Sequence, residues 1–410
     1  MQATAEIQAA GSPRRSQKHQ MLKDKQVKDL IVDKRRLVEV PYTATLADTI
    51  NTLMANKVVA VPVAAPPGHW IGAGGSMIFE SDKQTGAVRK HYIGMVTMLD
   101  ILAHIAGNGC GDDDVHLTKK MMVPISSIIG HCLESLSLWT LSPNTSIVDC
   151  MEVFSKGIHR AMVPVNGRSE NIVGVELTES ASCYRMLTQM DLLRFLNDQQ
   201  ELKAIMSHKV SDKQLQAITD TVFGVTNKAK VIDVIKCMRT AALNAVPIVE
   251  SYNDITEDHT QLVNGKKRKI VGTFSATDLR GCPVSKMQPL LNLEVLDFLK
   301  MLSGAPNTGM RSSWREQVTC HPESSLGEVV EKVVSDHVHR VWVVDEQGLL
   351  EGVVSLTDMI RVIRLCFKVS SEISSIRILF GISVTGFSLI LTTFRRKTYA
   401  VGLIQLLVIL

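Results

Sequence analysis

A phrase built from an apolar strand, a Ser or Thr, two further residues and an Asp returns four times along these 410 residues. It reads GMVTMLD (Gly94 to Asp100), RMLTQMD (Arg185 to Asp191), GTFSATD (Gly272 to Asp278) and GVVSLTD (Gly352 to Asp358). The aspartates stand 91, 87 and 80 residues apart, and a helix-like apolar run follows each one. So long a period describes a duplicated supersecondary module and argues against a solenoid of small units.

The same parts can be drawn in every module. A short strand or turn comes first, then a helix whose apolar residues recur near every 3.6 positions. These are Leu46, Ile50, Leu53 and Met54; Ile147, Met151 and Phe154; Val231, Val234, Ile235 and Met238; and Leu326, Val329, Val330 and Val333. A valine-rich strand follows (AVPVA, MVPV, AVPIV, VWVVD), then a hairpin, the Ser/Thr-x-x-Asp strand and a closing helix. The order is β-α-β-β-α, an α/β (α+β) unit. Hairpin loops vary, as surface connections do: repeat one inserts Pro66 to Ser76, repeat two a stretch around Glu176 to Cys183, and repeat three Ser251 to Lys269. Gly72, Gly74 and Gly75 do not lie between a strand and a helix, so they read as a loop and not as a phosphate cradle. The run Lys266 to Lys269 reads as a solvated face or an edge-strand protector.

Bulk properties exclude several classes. A net charge of +4 and 5% aromatic residues give no basis for nucleic-acid binding. None of the eight cysteines forms a CxxC pair, so reduced, buried thiols are expected and a zinc site or disulfide framework is not. No kinase glycine loop, P-loop, HExxH or GxSxG occurs, so no catalytic residue is assigned. Residues 1–27 read as a disordered basic tail. From Ile378 to Phe394 there are 17 residues without charge, short of the roughly 20 that a spanning helix needs. Residues 367–410 therefore read as an extension outside the core, with a tail anchor and a non-native run as the two readings, and a membrane role is not the expected one.

Four such units resemble CBS domains. With His-Arg in repeats two and four, they resemble the γ regulatory subunit of AMP-activated protein kinase and its sucrose-non-fermenting relatives, most closely the plant γ-like subunits. The resemblance covers about residues 28–366, with repeats at 28–106, 122–200, 208–282 and 315–366. It implies two CBS pairs (Bateman modules), one with two and three with four, in a pseudo-symmetric disk with ligands in clefts between repeats. Carried over, the ribose-binding residues are Asp100, Asp191, Asp278 and Asp358. Thr97, Thr188, Ser275, Thr277, Ser355 and Thr357 supply hydroxyls for the sugar or phosphate. His159, Arg160, His339 and Arg340 face phosphates, and no metal site is implied. A carboxylate suits a diol because it accepts two donors at once. An N-cap role accounts for an Asp at a strand-to-helix junction without any ligand, and both readings stay open. Repeat one has Val58-Val59 and repeat three Ala242-Leu243 where the family places an arginine, so the phosphate cavity is expected to lack two cations.

The resemblance implies a non-catalytic regulatory subunit of a heterotrimeric Ser/Thr kinase. It would bind the catalytic subunit and a scaffold (β-type) subunit in the cytoplasm or nucleus. No cofactor is required, and AMP, ADP or ATP is the ligand class implied. A free-standing CBS-pair sensor of adenosine ligands, acting on another enzyme, is the alternative.

Overall fold

In a computed structural model, residues 21–65, 91–107, 119–132, 138–165, 184–252, 256–282, 284–303 and 317–380 are described. The glycine-rich insert of repeat one, the insert of repeat two, the first 20 residues of the basic tail and the last 30 of the C-terminal extension lie outside them.

Each Ser/Thr-x-x-Asp phrase ends a strand that pairs antiparallel with the valine-rich strand before it. Repeat one runs β1 (Val40–Pro41), α2 (Leu46–Ala55), β2 (Ala60–Ala65), β3 (His91–Thr97) and α3 (Met98–Ala106), after a short α1 (Val27–Ile31). Repeat two runs α4 (Ile147–Phe154), β4 (Arg160–Pro164), β5 (Tyr184–Thr188) and α5 (Gln189–Asn197); Thr140 supplies its first strand as a parallel bridge to Met162. After α6 (Lys203–Met206), repeat three runs β6 (Phe223–Thr226), α7 (Val231–Thr240), β7 (Ala245–Val249), β8 (Val263–Asn264) and β9 (Ile270–Ser275). After α8 (Val284–Leu291) and α9 (Val295–Ser303), repeat four runs β10 (Thr319–Cys320), α10 (Leu326–Asp336), β11 (Arg340–Val344), β12 (Leu350–Ser355) and α11 (Leu356–Phe380).

One backbone device recurs in all four units. Lys57, Gly157, Ala242 and His337 have φ of 53°, 90°, 53° and 54°. Each ends the first helix in the left-handed region, three residues before the next strand. Only Gly157 does so without a Cβ penalty. Repeat three departs in its closing element, a 3-10 helix at Ala276–Gly281 where the others have an α-helix. Cys282 is already extended (φ −85°, ψ 121°), and it precedes Pro283 in the sequence, which disfavours helical backbone at the residue before it.

The apolar helix positions named from the sequence are inside, Met54 only partly, but the cores join repeats in a cross pattern. One core unites repeat one with repeat three, with Leu46, Ile50, Leu102, Val234, Ile235 and Phe274 buried together. The other unites repeats two and four through Ile147, Phe154, Leu193, Val330, Ile360 and Ile363. Smaller clusters join the sheets in the expected pairs. Tyr92 and Tyr184 meet edge to face at 6.4 Å between repeats one and two, in one cluster with Leu37, Ala64 and Met162. Val249, Ile270, Trp342 and Leu350 pack between repeats three and four, where Trp342 Nε1 donates to Thr273 Oγ1 at 2.8 Å. Sheets thus pair one with two and three with four, while helices pair one with three and two with four.

Linkers repeat this symmetry. The segments before the odd repeats pack on the even ones: Gln26 bridges Ser146, and Lys209 bridges Ser325. The segments after the odd repeats fold back on them: Pro124 bridges Thr45, and Glu294 bridges Lys230. Ile31, inside the span assigned to repeat one, and Leu22 and Val27, inside the span read as a disordered tail, therefore pack in the core of repeats two and four.

The repeat-three insert is ordered over most of its length. Its strand β8 covers β6, giving the sheet order β8-β6-β7-β9, whereas repeats one and four have three strands each. Arg268 pairs with Glu257 at 2.5 Å and lies 4.1 Å over the Tyr252 ring. Lys267 pairs with Asp345, at 3.5 Å, and with Glu351 of repeat four. The basic run therefore clamps two repeats together. At the other end, α11 does not stop at Cys366. It continues to Phe380, and Phe367 is buried in the second core. The boundary expected after Cys366 is displaced because the helix's apolar face still meets the core one residue later. No described helix is long and apolar enough to cross a membrane. Cys150, Cys282 and Cys320 are buried free thiols, pushed by desolvation up to about 12, about 11 and about 11.

Candidate functional site

The four phrases share one local construction. Thr97, Thr188, Ser275 and Ser355 each cap the following helix, and Asp100, Asp191, Asp278 and Asp358 stand at its third position. Oδ2 of each Asp accepts the backbone N–H of its cap residue, at 2.8, 2.9, 2.7 and 3.0 Å. In repeats one, two and four the cap hydroxyl also donates to Oδ2, at 2.6, 2.7 and 2.6 Å. This is a reciprocal capping box. The Ser or Thr is the cap and the Asp its partner, which reverses the assignment of the cap to Asp. It uses one carboxylate oxygen and leaves Oδ1 to distinguish the repeats.

At Asp100, which is fully buried, Oδ1 accepts the Cys132 N–H at 2.9 Å. The linker backbone thereby occupies the second carboxylate oxygen. At Asp191, Lys34 Nζ lies 2.5 Å from Oδ2 and Arg194 lies 3.8 Å from Oδ1. At Asp358, Oδ1 accepts from Arg361 at 2.8 Å, and Arg361 also donates to the Gln216 carbonyl. Arg361 is 39% exposed and can swing aside; a backbone N–H cannot. At Asp278, Oδ2 accepts the Ser275 N–H, and Ser275 Oγ sits 3.0 Å from Thr277 Oγ1.

The arginines reach across the sheet pairs. In register, Ala60, Arg160, Ala245 and Arg340 lie opposite Thr97, Thr188, Ser275 and Ser355. The carbonyls of Val59, His159, Asn244 and His339 each accept the first N–H of the closing helix, at 3.3, 3.1, 3.2 and 3.2 Å. Val59-Ala60 and Asn244-Ala245 are therefore the structural equivalents of His159-Arg160 and His339-Arg340. This shifts the positions from Val58-Val59 and Ala242-Leu243, and the residues there are still uncharged. Arg340 NH1 donates to the Ala245 carbonyl of repeat three at 2.8 Å. Arg160 NH1 lies 3.7 Å from the Met95 sulfur of repeat one. Burial pushes the Arg340 guanidinium down to about 10, so it stays charged at neutral pH.

Thr357 faces elsewhere. Its Oγ1 accepts from Gln189 Nε2 at 2.9 Å, and Gln189 also donates to the Phe154 carbonyl. Thr357 thus belongs to the helix seam of repeats two and four, while Thr277 stays beside Ser275. Lys34, Cys132, Gln216, Arg361 and Gln189 were not found from the sequence. Arg361 alone carried a signal, three residues after Asp358 on a helix. Among the described residues, no cluster of His, Cys, Asp and Glu fits a metal ion.

The CBS domain family model matches residues 313–365. The SNF1-related protein kinase regulatory subunit gamma-like PV42a of Arabidopsis thaliana is 59% identical over 351 residues, 84% of this chain and 96% of its own. PV42b from the same plant is 56% identical over 354 residues, 85% and 97% of the two chains. A crystal structure of a Methanocaldococcus jannaschii protein, proposed as an archaeal homologue of γ-AMPK, superimposes with a TM-score of 0.55. It has 17% identity and covers 82% of this chain and 99% of its own, a likeness of fold alone. With four capped CBS units and such identity along most of its length, the chain belongs to the gamma-like family of SNF1-related protein kinase regulatory subunits.

Proposed function

We propose that this chain is a non-catalytic γ-like subunit that binds the catalytic and scaffold subunits of a Ser/Thr kinase, and that an adenine nucleotide binds between repeats three and four. The observation that carries the ligand reading is Arg340. Arg340 is half-buried, its guanidinium donates to one backbone carbonyl, and burial is the cause that lowers its pKa. A half-buried cation with no carboxylate among its described partners is costly, and a phosphate is the partner its fork fits. Ala245, where it is anchored, lies opposite Ser275. The anchored arginine, Ser275, Thr277 and Asp278 thus come from one side, and Ser355 and Asp358 from the other. Arg361 must leave Asp358 Oδ1 before a ribose diol can use it. Ligand binding and the Arg361–Gln216 contact then compete, and the linker around Gln216 would carry the signal.

The regulatory reading draws on the family, in which kinase subunits carry the γ-like name. Calorimetry of the full chain against AMP, ADP, ATP and S-adenosylmethionine, repeated on Arg340→Gln, tests the ligand. Saturable nucleotide binding that Arg340→Gln weakens supports it; affinity equal in both proteins removes it. Co-purification from native tissue tests the assembly. Recovery of an unrelated enzyme, with no kinase or scaffold subunit, would replace it with the free-standing sensor.

A further inference from the structure

Four nitrogen-bearing side chains from α3, α7 and the linker after repeat one meet at the seam between repeats one and three, beside the closed carboxylate of Asp100. His104 lies near the end of α3, and His131 lies on the linker that folds back over repeat one. Their rings stack with centroids 5.8 Å apart and planes 22° from parallel. Lys120 Nζ donates to the Ile105 and Gly107 carbonyls at 2.9 and 3.0 Å, closing the C-terminal end of α3. Arg239 of α7 enters from repeat three. A Cβ placed on Gly107 would stand 3.1 Å from its NH1, so the missing side chain makes room for the guanidinium.

This gathering is repulsive as it stands. Burial, then His131, Lys120 and Arg239, hold His104 below the usual histidine range. Burial and then Arg239 hold His131 down, and among the described residues Asp100 pulls it up. The Asp100 carboxylate accepts from Thr97 and from the Cys132 N–H, and its charge draws on His131. His131 Nδ1 is buried and has no hydrogen-bond partner. Two full cations and two facing imidazoles, one with an unused ring nitrogen, make a receptor for an oxyanion.

We propose that this seam is a second anion site, which takes a phosphate group between Arg239, His104 and His131. A bound phosphate stabilises the imidazolium forms. Binding therefore takes up protons, and affinity rises as pH falls. Occupancy also has a structural consequence. His131 adjoins Cys132, whose N–H closes Asp100, so an anion that fixes His131 holds that closure in place.

The test is calorimetric titration of the full chain with inorganic pyrophosphate, in buffers of different ionisation enthalpy so that proton uptake is read directly. Wild type should bind with net proton uptake and tighten from about pH 8 to about pH 6, where histidine titrates. Arg239→Gln, at an exposed position, should weaken binding about tenfold or more, the worth of a charged hydrogen bond, and Arg239→Lys should restore part of it. His104→Gln should abolish most of the proton uptake. Arg340→Gln, which disarms the cleft between repeats three and four, should leave both signals in place. Binding lost in Arg340→Gln but kept in Arg239→Gln would overturn the site, as would titration of wild type without proton uptake. ADP on the Arg340→Gln background separates the sources. Affinity equal to that of pyrophosphate shows that the seam reads the phosphate alone. Affinity for ADP that Arg239→Gln does not change assigns that ADP elsewhere and counts against the site.

Discussion

Asp358 and Asp100 make the same capping box and differ in what holds the second carboxylate oxygen. Asp358 Oδ1 is held by a side chain that is partly in solvent, and Asp100 Oδ1 by a backbone N–H in the interior. Opposite outcomes follow for the same substitution. Asp358→Ala should weaken nucleotide binding by about 2–3 kcal/mol, a charged hydrogen-bond set, while circular dichroism shows the fold intact. Asp100→Ala should leave that affinity unchanged and lower the urea midpoint, because buried donors lose their acceptor at about 1–3 kcal/mol each. Equal effects of the two on binding would remove the distinction. The Ser/Thr-x-x-Asp residues were legible because a capping box is local, with cap and acid three residues apart. Lys34, Cys132 and Gln216 were not, because each arrives on a linker whose path depends on tertiary packing. The placement of Thr357 was hidden for the same reason: its partner Gln189 belongs to another repeat.

Among elements, the phrase strands and the closing helices show how a repeat is adapted by its neighbours. Gly opens the phrase in repeats one, three and four, and Arg185 replaces it in repeat two. At Gly352 a Cβ would stand 2.4 Å from Ile218 Cγ2 and 2.9 Å from the Thr219 carbonyl. There the linker runs against β12, with Thr219 and Val353 bonded in both directions at 2.9 and 3.1 Å. Gly352→Ala should cost about 1–3 kcal/mol by overpacking, measured by chemical denaturation; a stability unchanged within error would mean that the linker yields. The last helix allows a second test. Truncation after Cys366 removes Phe367 from the core and should lower the melting temperature, whereas truncation after Phe380 should not. If both truncations leave it unchanged, the core ends where the repeat arithmetic placed it. The sequence showed helix, strand and hairpin order because apolar period and turn residues are local signals. It did not show β8, a two-residue strand with too short a pattern to stand out. Nor did it show the 3-10 geometry after Ser275, though Gly281 and Pro283 flanked its end.

For the whole molecule, the pairing of sheets and the pairing of helices run in different directions. Two Bateman halves were legible from the fourfold phrase. That helices of repeat one would share a core with repeat three was not, since periodicity marks an apolar face without naming what covers it. Residues 21–206 and 207–380 expressed apart should each expose such faces, bind a hydrophobic dye and lose cooperative unfolding; their mixture should regain it. A half that melts cooperatively alone would show that sheet pairing suffices. The crossing also governs how the chain acquires its shape during synthesis. Leu46 and Ile147 emerge from the ribosome long before the residues that cover them, Val234 in one core and Val330 in the other. Neither core closes until the third and fourth repeats are out, and such distant contacts are slow to form and open to aggregation. The nascent protein must therefore keep its first two repeats soluble while waiting, and it is expected to lean on chaperones in proportion to how long translation takes to reach Phe367.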